Sequence, residues 1–292
     1  MKKDITALFC FVDDFVKLYY KKLAERAINS GQKPRNPTRV PCLADSEIVT
    51  ILLMFQISPA KNLKYFYKSY LQFYKNDEFR RLPSYERFVS LKKRVAGILA
   101  AMLQFLLVSN RNIGYVDASG LAVCHAKRTR GHKVFRGLAK LGKTTKGWFF
   151  GLKLHLVISE KGELINVAIT AGNVDDRKPV PKLTQDFIGL LLGDKGYISQ
   201  DLFQELYARG VKLVTGIKKN MKNSLMSLHE KMLLRKRSII ETVFGYLKHT
   251  MQLEHTRHRS PINAFVHILS TLIMYQKKSS KPSVFFTHMI PS

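Results

Sequence analysis

Three acids stand out in a strongly basic chain: Asp117 in Tyr115-Val116-Asp117-Ala118-Ser119, Asp194 in Leu192-Gly193-Asp194-Lys195-Gly196-Tyr197, and Glu241 in Arg237-Ser238-Ile239-Ile240-Glu241. The first two end short apolar runs that read as buried strands, and the third lies on a long helical pattern. A surface built to grip polyanions accommodates carboxylates when they hold cations. Hard oxygen donors at two strand ends and on one helix suit Mg²⁺ or Mn²⁺, and two such ions about 3.5–4 Å apart support in-line displacement at a phosphodiester. Arg237, Glu241 and Lys248 fall at i, i+4 and i+11, one face of a straight helix, so a basic stripe flanks the acid.

Each residue also has a plainer reading. Asp194-Lys195-Gly196 would turn unaided, an Asp after an apolar run is a common turn former, and Glu241 could pair with Arg237 or Lys248 on a solvated face. Asp175 and Asp176 read as a turn and the cap of a helix running through Phe187, and Glu160 and Glu163 flank a glycine turn. His155 alternates within a strand and reads as a packed or surface residue. Together with His125 and His132 it is a candidate general base, a role two-metal transfer does not require.

The elements that must position these residues change texture along the chain. The first third is helical: Ile5 to Ala27, Leu43 to Ile57 with Asp45 or Ser46 as cap, an aromatic and basic stretch from Asn62 to Phe73, and a helix opened by Pro83-Ser84 that runs to about Ser109. Gly31 to Pro41 reads as a linker. Short helices with tight turns suit either a helix-turn-helix, with Tyr85, Arg87, Lys92 and Arg94 on or near a DNA-facing surface, or a plain bundle. From residue 111 strands take over. Ile113 to Val116 and Leu121 to Cys124 flank a hairpin-type turn at Asp117–Gly120, followed by strands at 148–158 and 164–170, a helix, a strand at 190–193, a helix, a strand at 211–214, and one helix from Ser227 to Met251. Strands in sequence followed by α/β alternation predict an α/β fold: a ribonuclease H-like mixed sheet flanked by helices, preceded by an all-helical N-terminal domain. The expected divisions are 1–110 for the helical region, 111–276 for the catalytic domain and 277–292 for a tail.

Composition narrows the partner. The 292 residues carry 49 Lys and Arg against 21 Asp and Glu, a formal charge of +28. Such a balance points first to nucleic acid, through counterion release from phosphate, with an anionic membrane or a ribosome-associated role as the alternative. Between Lys127 and Lys146 the basic residues Lys127, Arg128, Arg130, Lys133, Arg136, Lys140 and Lys143 occur without an acid, and Phe135 and Trp148 are available to stack on bases. The same segment would also suit a disordered basic loop. Lys218, Lys219, Lys222, Arg235 and Lys236 extend the positive surface. Three scattered cysteines form no Cys-x-x-Cys pair, so neither a zinc site nor a disulfide framework is indicated. The longest apolar stretch, Val95 to Ser109, falls short of the roughly 18 residues of a spanning helix, and the early acids break a secretory pattern. A reduced, cytoplasmic, nucleoid-associated protein with no membrane partner is expected.

The three acid motifs, together with Ile240-Glu241-Thr242-Val243-Phe244, resemble bacterial insertion-sequence transposases with a DDE catalytic domain, over roughly residues 43 to 275. Related transposases carry Tyr-x-x-Arg-x-x-x-Glu-x-x-x-x-x-x-Lys around the last acid; this chain keeps Arg237, Glu241 and Lys248 and has Leu234 at the tyrosine position. The resemblance implies that Asp117, Asp194 and Glu241 are the catalytic metal-binding triad. It further implies that Arg237 and Lys248 contact DNA near them, that the cofactor is Mg²⁺ or Mn²⁺, as two ions, and that the partners are element inverted-repeat ends and target DNA. A homodimer or larger assembly would form the reacting complex. The other readings are a ribonuclease H-like nuclease that cuts without joining, and a non-catalytic DNA-binding protein.

Overall fold

The computed structural model describes residues 2–30, 41–79, 81–109, 111–144, 147–217, 226–254 and 258–284. The linker at 31–40 and Lys146, Lys218, Lys219 and Lys222 lie outside them. The chain divides into two compact units, one of Met1–Leu106 with Arg259–Lys277, the other of Leu107–His258 with Lys278–Ser292.

The first unit holds α1 (Lys2–Asn29), α2 (Asp45–Ile57), α3 (Leu63–Tyr65), a π-helical turn (Phe66–Leu71), α4 (Gln72–Tyr74), α5 (Tyr85–Leu91), a 3-10 turn (Lys92–Val95), α6 (Ala96–Leu106) and the C-terminal helix Pro261–Lys277. The helix α2 is apolar all round and buried from Ser46 to Gln56, which makes it the central element. Its first turn is closed by the Glu47 carboxylate, which accepts from the Ala44 N–H at 2.6 Å, so the cap lies one residue before Asp45. Ser84 caps α5 by accepting from the Arg87 N–H at 3.2 Å, as its sequence position suggested. The C-terminal helix belongs with this unit: the Thr271 hydroxyl donates to Gln56 Oε1 at 3.0 Å, and Gln276 donates to the Leu106 carbonyl at 3.0 Å. The sequence-based boundary at 276 therefore separates this helix from the bundle it packs in.

Two residues assigned to a DNA-facing surface are engaged elsewhere. Lys92 is buried, and Arg94 donates through Nε to Asp45 at 2.9 Å. Arg87 is exposed and Tyr85 is half-buried against Tyr67. Helical periodicity gave basic positions there, but packing of the Lys92–Val95 turn against α2 and the C-terminal helix buried Lys92, while Arg94 stays exposed on Asp45.

The second unit is built on β1 (Ile113–Cys124), β2 (Lys140–Thr144), β3 (Gly147–Ile158), β4 (Leu164–Ala171), α7 (Val180–Leu183), β5 (Gly189–Gly193), α8 (Gln200–Tyr207), β6 (Val211–Thr215), α9 (Leu228–Arg235), α10 (Ser238–Gly245) and a π-helical turn (Tyr246–Thr250). In the sheet β3 pairs antiparallel with β1, and β5 and β6 run parallel to β1 on its other side. Along its outer edge β3 takes β2 against residues 147–151 and β4 against residues 152–158. Setting β2 aside, the order β4-β3-β1-β5-β6 is the ribonuclease H-like arrangement. One face packs Val116, Val157, Leu191 and Leu213 against Val180, Leu183, Phe187, Leu202 and Leu206.

Three local expectations are corrected. Residues 113–124 are one strand, not a hairpin, because β3 is long enough to pair along it from Tyr115 to Cys124, with a register shift after Ala122: Asp117 faces Leu156 and Ser119 faces Leu154. The helix expected through Phe187 is only Val180–Leu183, with Pro179 as its cap. The helix expected over 227–251 is three pieces: α9, α10 and the π turn.

Candidate active site

The strand β1 outlasts its parallel neighbour. The last β1–β5 pair is Tyr115 with Leu192, and β5 ends at Gly193. Two residues beyond that pair come Asp117, still in β1, and Asp194, the first residue past the end of β5. Asp117 therefore sits where the sheet splits: still paired to β3 on one side, free of β5 on the other. Strand alternation settles the face. Val116 belongs to the core with α8, so Tyr115 and Asp117 point to the opposite face, where the Tyr115 hydroxyl reaches the Leu233 carbonyl of α9 at 3.4 Å. The helix α10, which carries Glu241, packs on β1.

Burial pushes the Asp117 carboxyl up to about 6, with Asp194 and Asp176 adding to the rise and the Ala118 N–H and Arg237 opposing it. Like charges on Asp194 and Asp176 are thus felt at Asp117. Asp194 is exposed, and its carboxylate accepts from the Lys195 N–H at 2.7 Å. Arg237 joins the last acid to this group: it donates to Glu241 Oε1 at 2.7 Å, and its charge acts on Asp117. Glu241 is exposed. Among the described residues no group of three or more His, Cys, Asp and Glu is arranged to hold a metal ion. The two aspartates are brought together; Glu241 is turned toward its arginine.

Lys248 does not continue the stripe. The π turn adds a residue to the helical repeat and rotates it, so its ammonium lies on β1, 2.5 Å from the Gly120 carbonyl and 3.4 Å from Glu254. Glu254 in turn accepts from the Ala122 N–H at 3.0 Å. The basic segment is built rather than loose: a 3-10 turn over Ala126–Gly131, tight turns to Ala139, then β2. Lys127, Arg128, Arg130, Lys133, Arg136 and Lys140 are all exposed. Phe135 is buried, stacked on His132 at 5.8 Å, and is not available to a base. Trp148 is 60% exposed with the Lys143 ammonium 5.7 Å from its ring.

Neighbours of the two aspartates escaped the sequence reading. Lys153 of β3 donates to Asp176 at 2.8 Å and to the Val174 carbonyl at 2.9 Å. Asp175, by contrast, closes on Arg177 at 2.6 Å, which holds its carboxyl far below the usual range. Tyr197, packed over Gly193 and against Val116, keeps a buried hydroxyl without a partner, and burial followed by the charges of Asp117, Asp176 and Asp194 pushes it well up. The string Asp194-Lys195-Gly196-Tyr197 was the one signal for it. His155 is a packed residue: Nε2 meets the Thr170 hydroxyl at 2.8 Å, and burial draws its pKa down to about 4.

No helix of the described residues is long and apolar enough to cross a membrane. No curated protein matches the chain. Solved structures similar to it include a piggyBac transposase synaptic complex with hairpin DNA, at 11% identity over 86% of this chain and 71% of that one with a TM-score of 0.46. A pre-cleavage Mos1 transpososome follows at 12% identity over 87% and 84%, TM-score 0.30. The Mos1 mariner paired-end complex with Mn shares 14% identity over 94% and 96%, TM-score 0.24. These distant likenesses add no weight of their own. The family model for the transposase DDE domain matches residues 108–261, more than half of the chain and all of the sheet with α7 to α10, and the chain belongs to that family.

Proposed function

We propose that this transposase binds the inverted-repeat ends of a mobile element, cuts there, and joins the 3′-ends to target DNA, with Asp117, Asp194 and Glu241 as its catalytic acids. The observation that carries the reading is that Asp117 and Asp194 each stand two residues beyond the last paired residues of parallel strands, Tyr115 and Leu192. It supports a shared cation site: two hard carboxylates, one of them already raised partly by the other's charge, are a pair that a divalent ion would relieve. Glu241 would be the third acid to hold the cation, its carboxylate then free of Arg237.

Mg²⁺ or Mn²⁺, as two ions, would supply Lewis-acid stabilisation of the phosphoryl oxygens and a nucleophile at neutral pH. The chain's own residues do the rest. Arg237, released from Glu241, would take a phosphate oxygen. The exposed run Lys127, Arg128, Arg130, Lys133, Arg136 and Lys140 would hold the DNA backbone beside the split in the sheet. Lys248 would act on DNA only indirectly, through the β1 backbone that it clamps. The helical unit would recognise element ends, and two copies would pair two ends.

The test is incubation of purified protein with labelled element ends, unlabelled target DNA and Mg²⁺. Wild type should give cleaved and joined products, and Asp117→Ala, Asp194→Ala and Glu241→Ala should each give neither. Cleavage that persists in the variants rejects the triad, and cleavage without joining makes the protein a nuclease.

A further inference from the structure

Between Glu47 and Asp77 the chain contains no acid, and this stretch ends in the broken helix Leu63–Tyr74. The inner side of that helix is anchored. Phe66 packs on Phe55 with centroids 5.7 Å apart, Tyr67 stacks on Phe88 at 4.7 Å and its hydroxyl donates to the Pro83 carbonyl at 2.7 Å. The outer side is unusual. Lys61, Lys64 and Lys68 are exposed, and so are Tyr65 at 60%, Phe73 at 81% and Tyr74 at 75%. From Phe66 a ladder of rings runs outward through Tyr70 at 5.5 Å to Tyr74 at 6.1 Å, so the outermost rings stand on a fixed base.

We infer that this face is a second nucleic-acid site, one that takes unpaired DNA bases. Three rings left in water cost solvation that nothing inside the unit recovers, and three lysines without an acid set the sign of the partner. A second copy of the same face would bring its lysines against these. A fully paired duplex offers phosphates to the lysines but no base faces to the rings. A single strand, or a frayed end, offers both: phosphates to Lys61, Lys64 and Lys68, and stacking surfaces to Tyr65, Phe73 and Tyr74. The inference deepens the proposed DNA-handling role, rests on that reading, and places part of it on the helical unit.

Anisotropy titrations in EDTA, where no cleavage can occur, test it with the full-length protein. The probes are a labelled single-stranded oligonucleotide and a blunt duplex of the same sequence. The double variant Phe73→Ala/Tyr74→Ala should bind the single strand about 5- to 100-fold more weakly while duplex affinity stays within about twofold. Lys64→Gln/Lys68→Gln should weaken both and lower the single-strand salt slope by about 0.7 per lysine. All four residues are exposed, so an unchanged thermal midpoint checks the fold. Wild-type affinity of the aromatic variant for the single strand, or equal losses on both probes, overturns the inference. So does a fall in sedimentation coefficient, which would make the face a contact between copies. In the separate Mg²⁺ assay, cleavage by Asp117→Ala would sink the catalytic assignment and leave this one standing, and normal single-strand binding by the aromatic variant in EDTA would do the reverse.

Discussion

The Arg237 guanidinium holds the Glu241 carboxylate at 2.7 Å one helical turn away, and the same charge lowers the cost of ionising Asp117. One arginine thus sits between two acids that the proposed chemistry needs free. Glu241 is largely exposed, so the pair contributes only tenths of a kcal/mol to the fold. Arg237→Gln should therefore leave the thermal midpoint nearly unchanged. It should cut cleavage by about tenfold or more, and because a cation is lost beside Asp117, the acid limb of the cleavage pH profile should move upward. A profile that stays in place would separate Arg237 from Asp117.

Asp117 is the acid whose ionisation the fold opposes. Burial raises its pKa to about 6 from the ordinary aspartate value of 3.8, so between about pH 4 and 6 the native state binds more protons than the unfolded chain, and stability falls as pH rises through that window. In metal-free buffer Asp117→Asn should be more stable than wild type at pH 7.5, by about 1–3 kcal/mol, with the difference closing near pH 4. Denaturant melts at both pH values measure it. Mn²⁺ added at pH 7.5 should raise the wild-type midpoint and leave that of Asp117→Asn where it is.

Lys92 is buried with no ion pair to an acid among the described residues, and burial draws its pKa down to about 8 from 10.5. The native state then binds fewer protons than the unfolded chain between about pH 8 and 10.5, so wild-type stability should rise with pH across that range. Lys92→Met should stabilise the protein at pH 7 by about 1–3 kcal/mol, and the gain should shrink by pH 10. A loss of DNA affinity in that variant, with no gain in stability, would return Lys92 to a DNA-facing role.

Lys248 ties the π turn to β1 through the Gly120 carbonyl. Lys248→Met should cost about 1–2 kcal/mol of stability, the worth of a charged hydrogen bond, and should leave the salt slope of duplex binding unchanged. A slope reduced by about one with normal stability would mean that this ammonium reaches phosphate instead.

What the sequence determined by itself was chemistry and element type. The +28 charge, the acids at Asp117 and Asp194 after apolar runs, the Ser84 cap and the alternation beyond residue 111 follow from composition and local periodicity and suffice for a mixed α/β sheet, while the transposase family came through the resemblance of the acid motifs. What only the tertiary structure decided was where each side chain points. Pairing with β3 turned an apparent hairpin into one strand and set Asp117 at the split in the sheet. A π turn moved Lys248 off the stripe that α-helical arithmetic gave it. Packing onto α2 buried Lys92, and packing on His132 accompanies the burial of Phe135. Periodicity is a property of a few neighbouring residues, whereas burial and register depend on partners tens of residues away, whose positions no local pattern encodes.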